Sequence, residues 1–249
     1  MDKKLSGLYR KFIDDFLKKN DNPLCKGCIV KDSIPIVHFG NLENYQNSMR
    51  RILTIGLNPS NNEFTEKRFE IIDFKKGNER DNIERLHSTL NKYFEVNPYN
   101  KWFYNNEFVL NVLGATYYEN PVYDTGFENY DKAVHIDIYS SIATDPTWGK
   151  LNGSVKSEMQ NIVLFRELLQ YLNPDIILVS FNRDIFNQCF YEYDFAEARF
   201  QNKDSPTQFY LKKYVHSSGT QLLWGYNYKG KAFALSHSFI KDNVPEMIY

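Results

Sequence analysis

Two short apolar runs, each closed by a turn, constrain this chain more than any other feature. Ile52-Leu53-Thr54-Ile55-Gly56-Leu57 runs into Asn58-Pro59-Ser60, and Ile176-Ile177-Leu178-Val179 begins just after Asn173-Pro174 stops a helix-patterned stretch. A strand with one wet face alternates apolar and polar residues, whereas a run apolar throughout predicts a strand covered on both faces, as in parallel sheets. Ala133-Val134-His135-Ile136-Asp137-Ile138 reads as another strand, alternating small or apolar residues with polar ones. Further strand-like runs fall near 208–215, 220–226 and 231–236, the first two separated by His216-Ser217-Ser218-Gly219.

Helical periodicity fills the intervals. Residues 3–19 place Leu5, Leu8, Tyr9, Phe12, Ile13, Phe16 and Leu17 on one stripe, and 155–172 do the same with Met159, Ile162, Val163, Phe165, Leu168, Leu169 and Leu172. The aromatic-rich segment from about 80 to 120 also reads as mostly helical. This alternation predicts a three-layer α/β/α fold around a mainly parallel sheet, with strands at 52–57, 133–138, 175–180 and 231–236 as neighbours. No repeat, low-complexity tract or linker divides the sequence, so one domain over 1–249 is expected, with 1–50 as an N-terminal helix and loop extension. A domain of this size buries roughly 70 to 75% of the surface its unfolded chain exposes, enough for a substantial core.

Composition narrows the function classes. Formal net charge is −1, which excludes a protein that coats nucleic acid and leaves only local contact with it. Lysines gather at Lys3, Lys4, Lys11, Lys18 and Lys19, and again at Lys212, Lys213, Lys229 and Lys231; such runs are more often solvated faces than phosphate sites. Aromatic residues make up 16% of the chain, an excess that fills a core or stacks on bases. No apolar stretch approaches the ~20 residues that span a bilayer, and the first residues lack a secretory pattern, so a cytoplasmic protein is expected. Cys25-x-x-Cys28 has only Cys189 and scattered histidines such as His38 to complete a metal site, so the reading is structural thiols, with neither metal nor cofactor.

Gly56-Leu57-Asn58-Pro59-Ser60, at the carboxyl end of a strand, resembles the first motif of the uracil-DNA glycosylase superfamily, closest to its mismatch-specific and single-strand-selective branches. Three further segments resemble that superfamily in order and context: Val134-His135-Ile136-Asp137-Ile138-Tyr139-Ser140-Ser141, Asn173-Pro174-Asp175-Ile176-Ile177-Leu178-Val179-Ser180, and Ala234-Leu235-Ser236-His237-Ser238-Phe239-Ile240. Together they cover about a fifth of the chain. The departures are specific. Ser60 stands where the closest branches have Gly, Ser238 and Phe239 follow His237 where Pro and Ser are usual, and the second segment has no obvious base-reading Asn. The iron–sulfur branch needs four cysteines and this chain has three, so no cluster is expected.

The resemblance implies a monofunctional hydrolase that flips a uracil or modified pyrimidine out of DNA and cuts its N-glycosidic bond, in repair or in defence against modified DNA. That reaction expels a base anion from an oxocarbenium-like sugar, so it needs a placed water and a donor for the departing base. Asn58 is the candidate to orient the water and His237 to donate to the base. Phe69, with Phe64 as fallback, is the candidate stacking ring. Asp137, Tyr139 and Ser140 compete to read the base, and Asp137 would favour a cytosine-type edge, whose N4 is a donor. His135 and Asp137, two apart on a strand, share a side and form either a ligand pair or a base reader. Pro59, Ser60 and Ser238 would touch DNA, with Phe239 and Ile240 as wedges filling the gap in the stack. The implied partner is DNA, with no membrane, and the implied state a monomer. Two other classes stay open: a hydrolase of free nucleosides or nucleotides, and a nonenzymatic DNA or protein binder.

Overall fold

A computed structural model describes residues 1–202 and 208–249, the side chain of Lys67 excepted. The chain forms two compact units that interleave in sequence. One gathers Met1–Asn41, Leu57–Tyr99 and His135–Asn173; the other gathers Leu42–Gly56, Asn100–Val134 and Pro174–Tyr249. In chain order the elements begin α1 (Lys3–Asp21), α2 (Pro23–Lys26), α3 (Leu42–Asn47), β1 (Ile52–Gly56), α4 (Glu79–Asn91), α5 (Tyr93–Val96) and α6 (Asn100–Val112). They continue with β2 (Ala115–Thr116), β3 (Asp131–Lys132), β4 (Val134–Asp137), α7 (Gly153–Met159), α8 (Ile162–Leu172) and β5 (Ile176–Val179). The last are α9 (Arg183–Cys189), β6 (Tyr193–Gln201), β7 (Phe209–His216), β8 (Gln221–Gly225) and α10 (His237–Ile248).

The expected mixed α/β architecture with a mainly parallel central sheet is present. Its strand order is β4-β1-β5-β8-β7-β6. Ile52 pairs with Ile176 and Ile176 with Gln221 in parallel register, while β7 is antiparallel to both β8 and β6. β1 and β5 are buried at every position, as runs that are apolar but for Thr54 require. Asp175 aligns their amino ends: its carboxylate takes the Arg51 guanidinium at 3.1 and 2.9 Å and the Arg51 backbone N–H at 2.9 Å. Asn173 ends α8 in the left-handed conformation (φ 44°), one that Asn tolerates better than most residues, and Pro174 blocks any further turn.

α1 starts on the Asp2 side chain, which accepts the Leu5 N–H at 2.8 Å, and buries the predicted stripe of Leu5, Leu8, Tyr9, Phe12, Ile13 and Phe16. The helix expected over 155–172 is two helices. Asn161 caps α8 by accepting the Leu164 N–H at 3.2 Å and donates to Asp15 Oδ1 at 3.0 Å. Lys19, buried beside Asp15, donates to the Met159 carbonyl where α7 ends. A continuous helix would leave this buried cation without that acceptor.

The segment 231–236 is not the strand its sequence suggested; its only bridge joins Lys231 to Tyr228. Phe233 turns out of strand geometry (φ 46°) and lays its ring against Gly225, where an added Cβ would lie 2.1 Å from a ring carbon. Its N–H donates to Ser180 Oγ at 3.1 Å. The sheet position expected for 231–236 belongs to β8, which the run at 220–226 predicted, and β6 is a strand the sequence did not announce.

Candidate active site

The loop leaving β1 is held tightly. Leu57 accepts the Tyr139 N–H at 2.9 Å, and Pro59 accepts the Thr144 N–H at 3.0 Å, so residues 57–60 and 139–144 run together. Asn58 fastens them further, donating to the carbonyls of Tyr139 (2.8 Å) and Ile142 (2.7 Å) and accepting the Thr144 hydroxyl at 2.7 Å. Both amide protons are thereby engaged, and one lone pair of Oδ1 remains. Pro59 is buried, and Ser60 is half-buried. Ser140 lies within the clamped loop; its hydroxyl is buried and meets no hydrogen-bond partner among the described residues.

In the same unit, His135 and Asp137 point to one side of β4 as expected, with Nε2 and Oδ1 3.4 Å apart. Both are buried. Phe69 stacks on Tyr93 at 5.6 Å and leans on Phe64 at 5.1 Å, and Tyr93 meets Phe39 at 4.6 Å. The expected base-stacking ring is thus part of a packed aromatic cluster, 9% exposed. This cluster encloses Glu63, which sequence reading missed. Its carboxylate accepts the Tyr93 hydroxyl, and burial, with Asp137 adding repulsion, pushes its pKa up to about 7. Arg68 and the Tyr93 hydrogen bond pull the other way. Five positions after Asn58, in the polar run Ser60-Asn61-Asn62-Glu63, nothing in the sequence separates it from a solvated acid.

His237 belongs to the other unit. A strand leading to a histidine-bearing loop was expected; instead Ser236 accepts the Phe239 N–H at 3.2 Å and caps α10, of which His237 is the first residue. Its ring lies flat on Phe108, with centroids 3.8 Å apart and planes 10° apart, and meets Tyr123 edge-on at 5.5 Å. His237 and Ser238 are exposed and Phe239 is half-buried. Ile240, expected as a possible wedge, is 2% exposed and packs in the core. The structure therefore brings Asn58, Phe69, Asp137 and Ser140 into one unit and puts His237, Ser238, Phe239 and Ile240 in the other.

Cys25 and Cys189 are buried free thiols and Cys28 a half-buried one. Among the described residues no group of three His, Cys, Asp or Glu side chains stands ready to hold a metal ion, and no helix is long and apolar enough to cross a membrane. No protein-family model, no curated protein and no solved structure matches this chain.

Proposed function

We propose that the chain is a DNA glycosylase of the uracil-DNA glycosylase type, hydrolysing the N-glycosidic bond of a flipped-out uracil or modified pyrimidine. The observation that carries the reading is Asn58. Its amide follows the carboxyl end of β1, where the strand order of the sheet reverses, the position at which open α/β sheets bind ligands. Three hydrogen bonds fix that amide, and the remaining Oδ1 lone pair can accept from one water. Fixing the acceptor before the reaction is what a water-orienting residue needs, because catalysis by position fails when the group must first be ordered. Asp137 supplies an acceptor suited to a cytosine-type amino group, and the unpartnered Ser140 hydroxyl a second polar contact. His237, the donor that the sequence resemblance implies, is exposed at the first turn of α10.

The test is incubation with oligonucleotides bearing one uracil, hypoxanthine or modified cytosine, followed by alkaline cleavage at abasic sites. Strand scission is expected on at least one of them. Asn58→Ala should lower the single-turnover rate by roughly 10²-fold or more and change DNA binding far less. Release of base from free nucleosides with none from DNA would make the protein a nucleoside hydrolase. A nonenzymatic binder is the second reading, because the hydrogen bonds that fix Asn58 also describe a purely structural clamp; DNA binding without scission on any of the three substrates would establish it.

A further inference from the structure

We propose that the aromatic face of the β6–β7 hairpin binds a segment of single-stranded nucleic acid, with Lys212 and Arg183 taking phosphates and Tyr210 and Phe195 receiving bases. The proposal stands on this face alone and does not require base excision. Alternation along β7 puts Tyr210, Lys212 and Tyr214 on one face and Leu211 and Lys213 on the other. α10 covers the second face: Lys213 donates to the Met247 carbonyl, and Arg199 of β6 pairs with Glu246 at 2.7 Å. α9 covers only part of the first, where Phe186 stacks on Trp224 at 4.6 Å and meets Tyr214 at 4.7 Å.

What α9 leaves uncovered is aromatic and positive. Tyr210 and Lys212 are half-buried and Phe195 is 58% exposed, its ring 5.6 Å from that of Tyr214. The Lys212 ammonium lies over two rings, 4.6 Å from Tyr210 and 5.2 Å from Trp224. Among the described residues neither Lys212 nor Arg183 has a carboxylate partner. Burial and the nearby Arg183 both disfavour the charged form of Lys212, and no acid among the described residues offsets them, so a bound anion would relieve both. The acids of β6 sit elsewhere: Glu197 is in register with Lys213 and pairs with Arg199, and Asp194 is in register with Val215, both partners lying on the covered face.

An anion is the missing partner, and the rings choose among anions. Bases stack on aromatic side chains whatever their sequence, while the phosphates between them meet the cations. A duplex keeps its base faces stacked on one another and cannot use the rings. An acidic peptide would meet the charges and leave the rings unused.

Fluorescence anisotropy of a labelled oligothymidylate with the full chain tests this. Binding should weaken with salt, and Lys212→Gln should flatten the log–log salt slope by about 0.7. Tyr210→Ala should weaken binding roughly five- to hundredfold, and so should Phe195→Ser, a change at an exposed position that does not threaten the fold. The proposal is overturned if the wild type does not bind, if Lys212→Gln and Phe195→Ser bind as the wild type does, or if polyglutamate competes as well as unlabelled oligothymidylate. Excision measured on the same variants at saturating DNA should persist. Absence of excision in the wild type would remove the glycosylase reading and leave the binding result intact.

Discussion

In the unit built on α1, several ionisable side chains are buried and held by partners inside the unit. Lys19 meets Asp15 at 2.5 Å and the Ser141 hydroxyl at 3.1 Å; the Tyr9 hydroxyl joins His38 at 2.7 Å and His87 at 3.0 Å; Glu63 holds Tyr93. On the β6–β7 hairpin of the other unit, Lys212 stands over aromatic rings with another cation nearby. A buried charge is tolerated when its partners are in place and strongly destabilising when one is removed. The first set therefore serves the fold, and the second is available to a ligand. Substitutions in the first should act on stability, and those at exposed positions of the other unit on binding or rate.

The largest stability effect is expected at Lys19. Lys19→Met leaves the half-buried Asp15 without its cation and the Met159 carbonyl without its donor. Breaking such a pair costs about 3–5 kcal/mol, a fall in Tm of roughly 6–20 °C for a chain of this size. Adding Asp15→Asn should restore part of it by removing the stranded charge. A melting curve for Lys19→Met that overlays the wild type would break the comparison at its strongest point.

Acid should act next. Burial, with His87 nearby, lowers the His38 pKa to about 3, and burial lowers that of His87 as well. The unfolded chain then binds protons that the native state refuses, so this stability is complete above pH 6.5 and is lost as pH falls toward 3. His38 alone accounts for about 3 kcal/mol by pH 4. Urea midpoints measured from pH 7 down to 4 should fall, and His38→Gln should flatten the trend.

Glu63 has the opposite sign. Its raised pKa means that the native state holds a proton between pH 4.5 and about 7 that the unfolded chain has released. Its contribution is thus present below pH 4.5 and lost as pH rises through 7. Glu63→Gln keeps an acceptor for Tyr93 and removes the charge, so it should stabilise the protein by about 1–3 kcal/mol at pH 8 and leave it unchanged at pH 4.5. Equal effects at the two values would mean that Glu63 is not buried as a neutral acid.

How much of this was legible in the sequence depended on whether the signal was local. β1 and β5 were readable because burial on both faces leaves an apolar run, and α1 because its stripe of apolar residues is continuous. β6 was not, because an edge strand with no fully buried residue mixes Asp194, Glu197 and Arg199 among its aromatics. The break between α7 and α8 depends on Lys19, more than a hundred positions away, and the loss of a strand at 231–236 on the ring of Phe233 filling the space beside Gly225. At the candidate site, the Asn-Pro turn after β1 marked Asn58, whereas the burial of Glu63 arises from rings distributed between Phe39 and Tyr93. Interleaving of the two units left no linker to detect.

The smallest effect on stability is expected at His237, and it separates the two kinds of residue most sharply. The side chain is exposed, lies at the first turn of α10 and makes its principal contact through the face stacked on Phe108. An aromatic pair contributes about 0.5–1.5 kcal/mol beyond the area it buries, and exposure puts this one at the lower end. His237→Ala should therefore shift Tm by only a few degrees, because the Ser236 cap that starts the helix is untouched. If His237 donates to the departing base, the same variant should lose roughly 10²-fold in single-turnover excision. His237→Phe keeps the stacking and removes the donor, so it should match the wild type in stability and His237→Ala in rate. An excision rate that His237→Phe restores would show that the ring contributes packing alone, and the base-stabilising donor would then have to be sought among Ser140 and the residues around it.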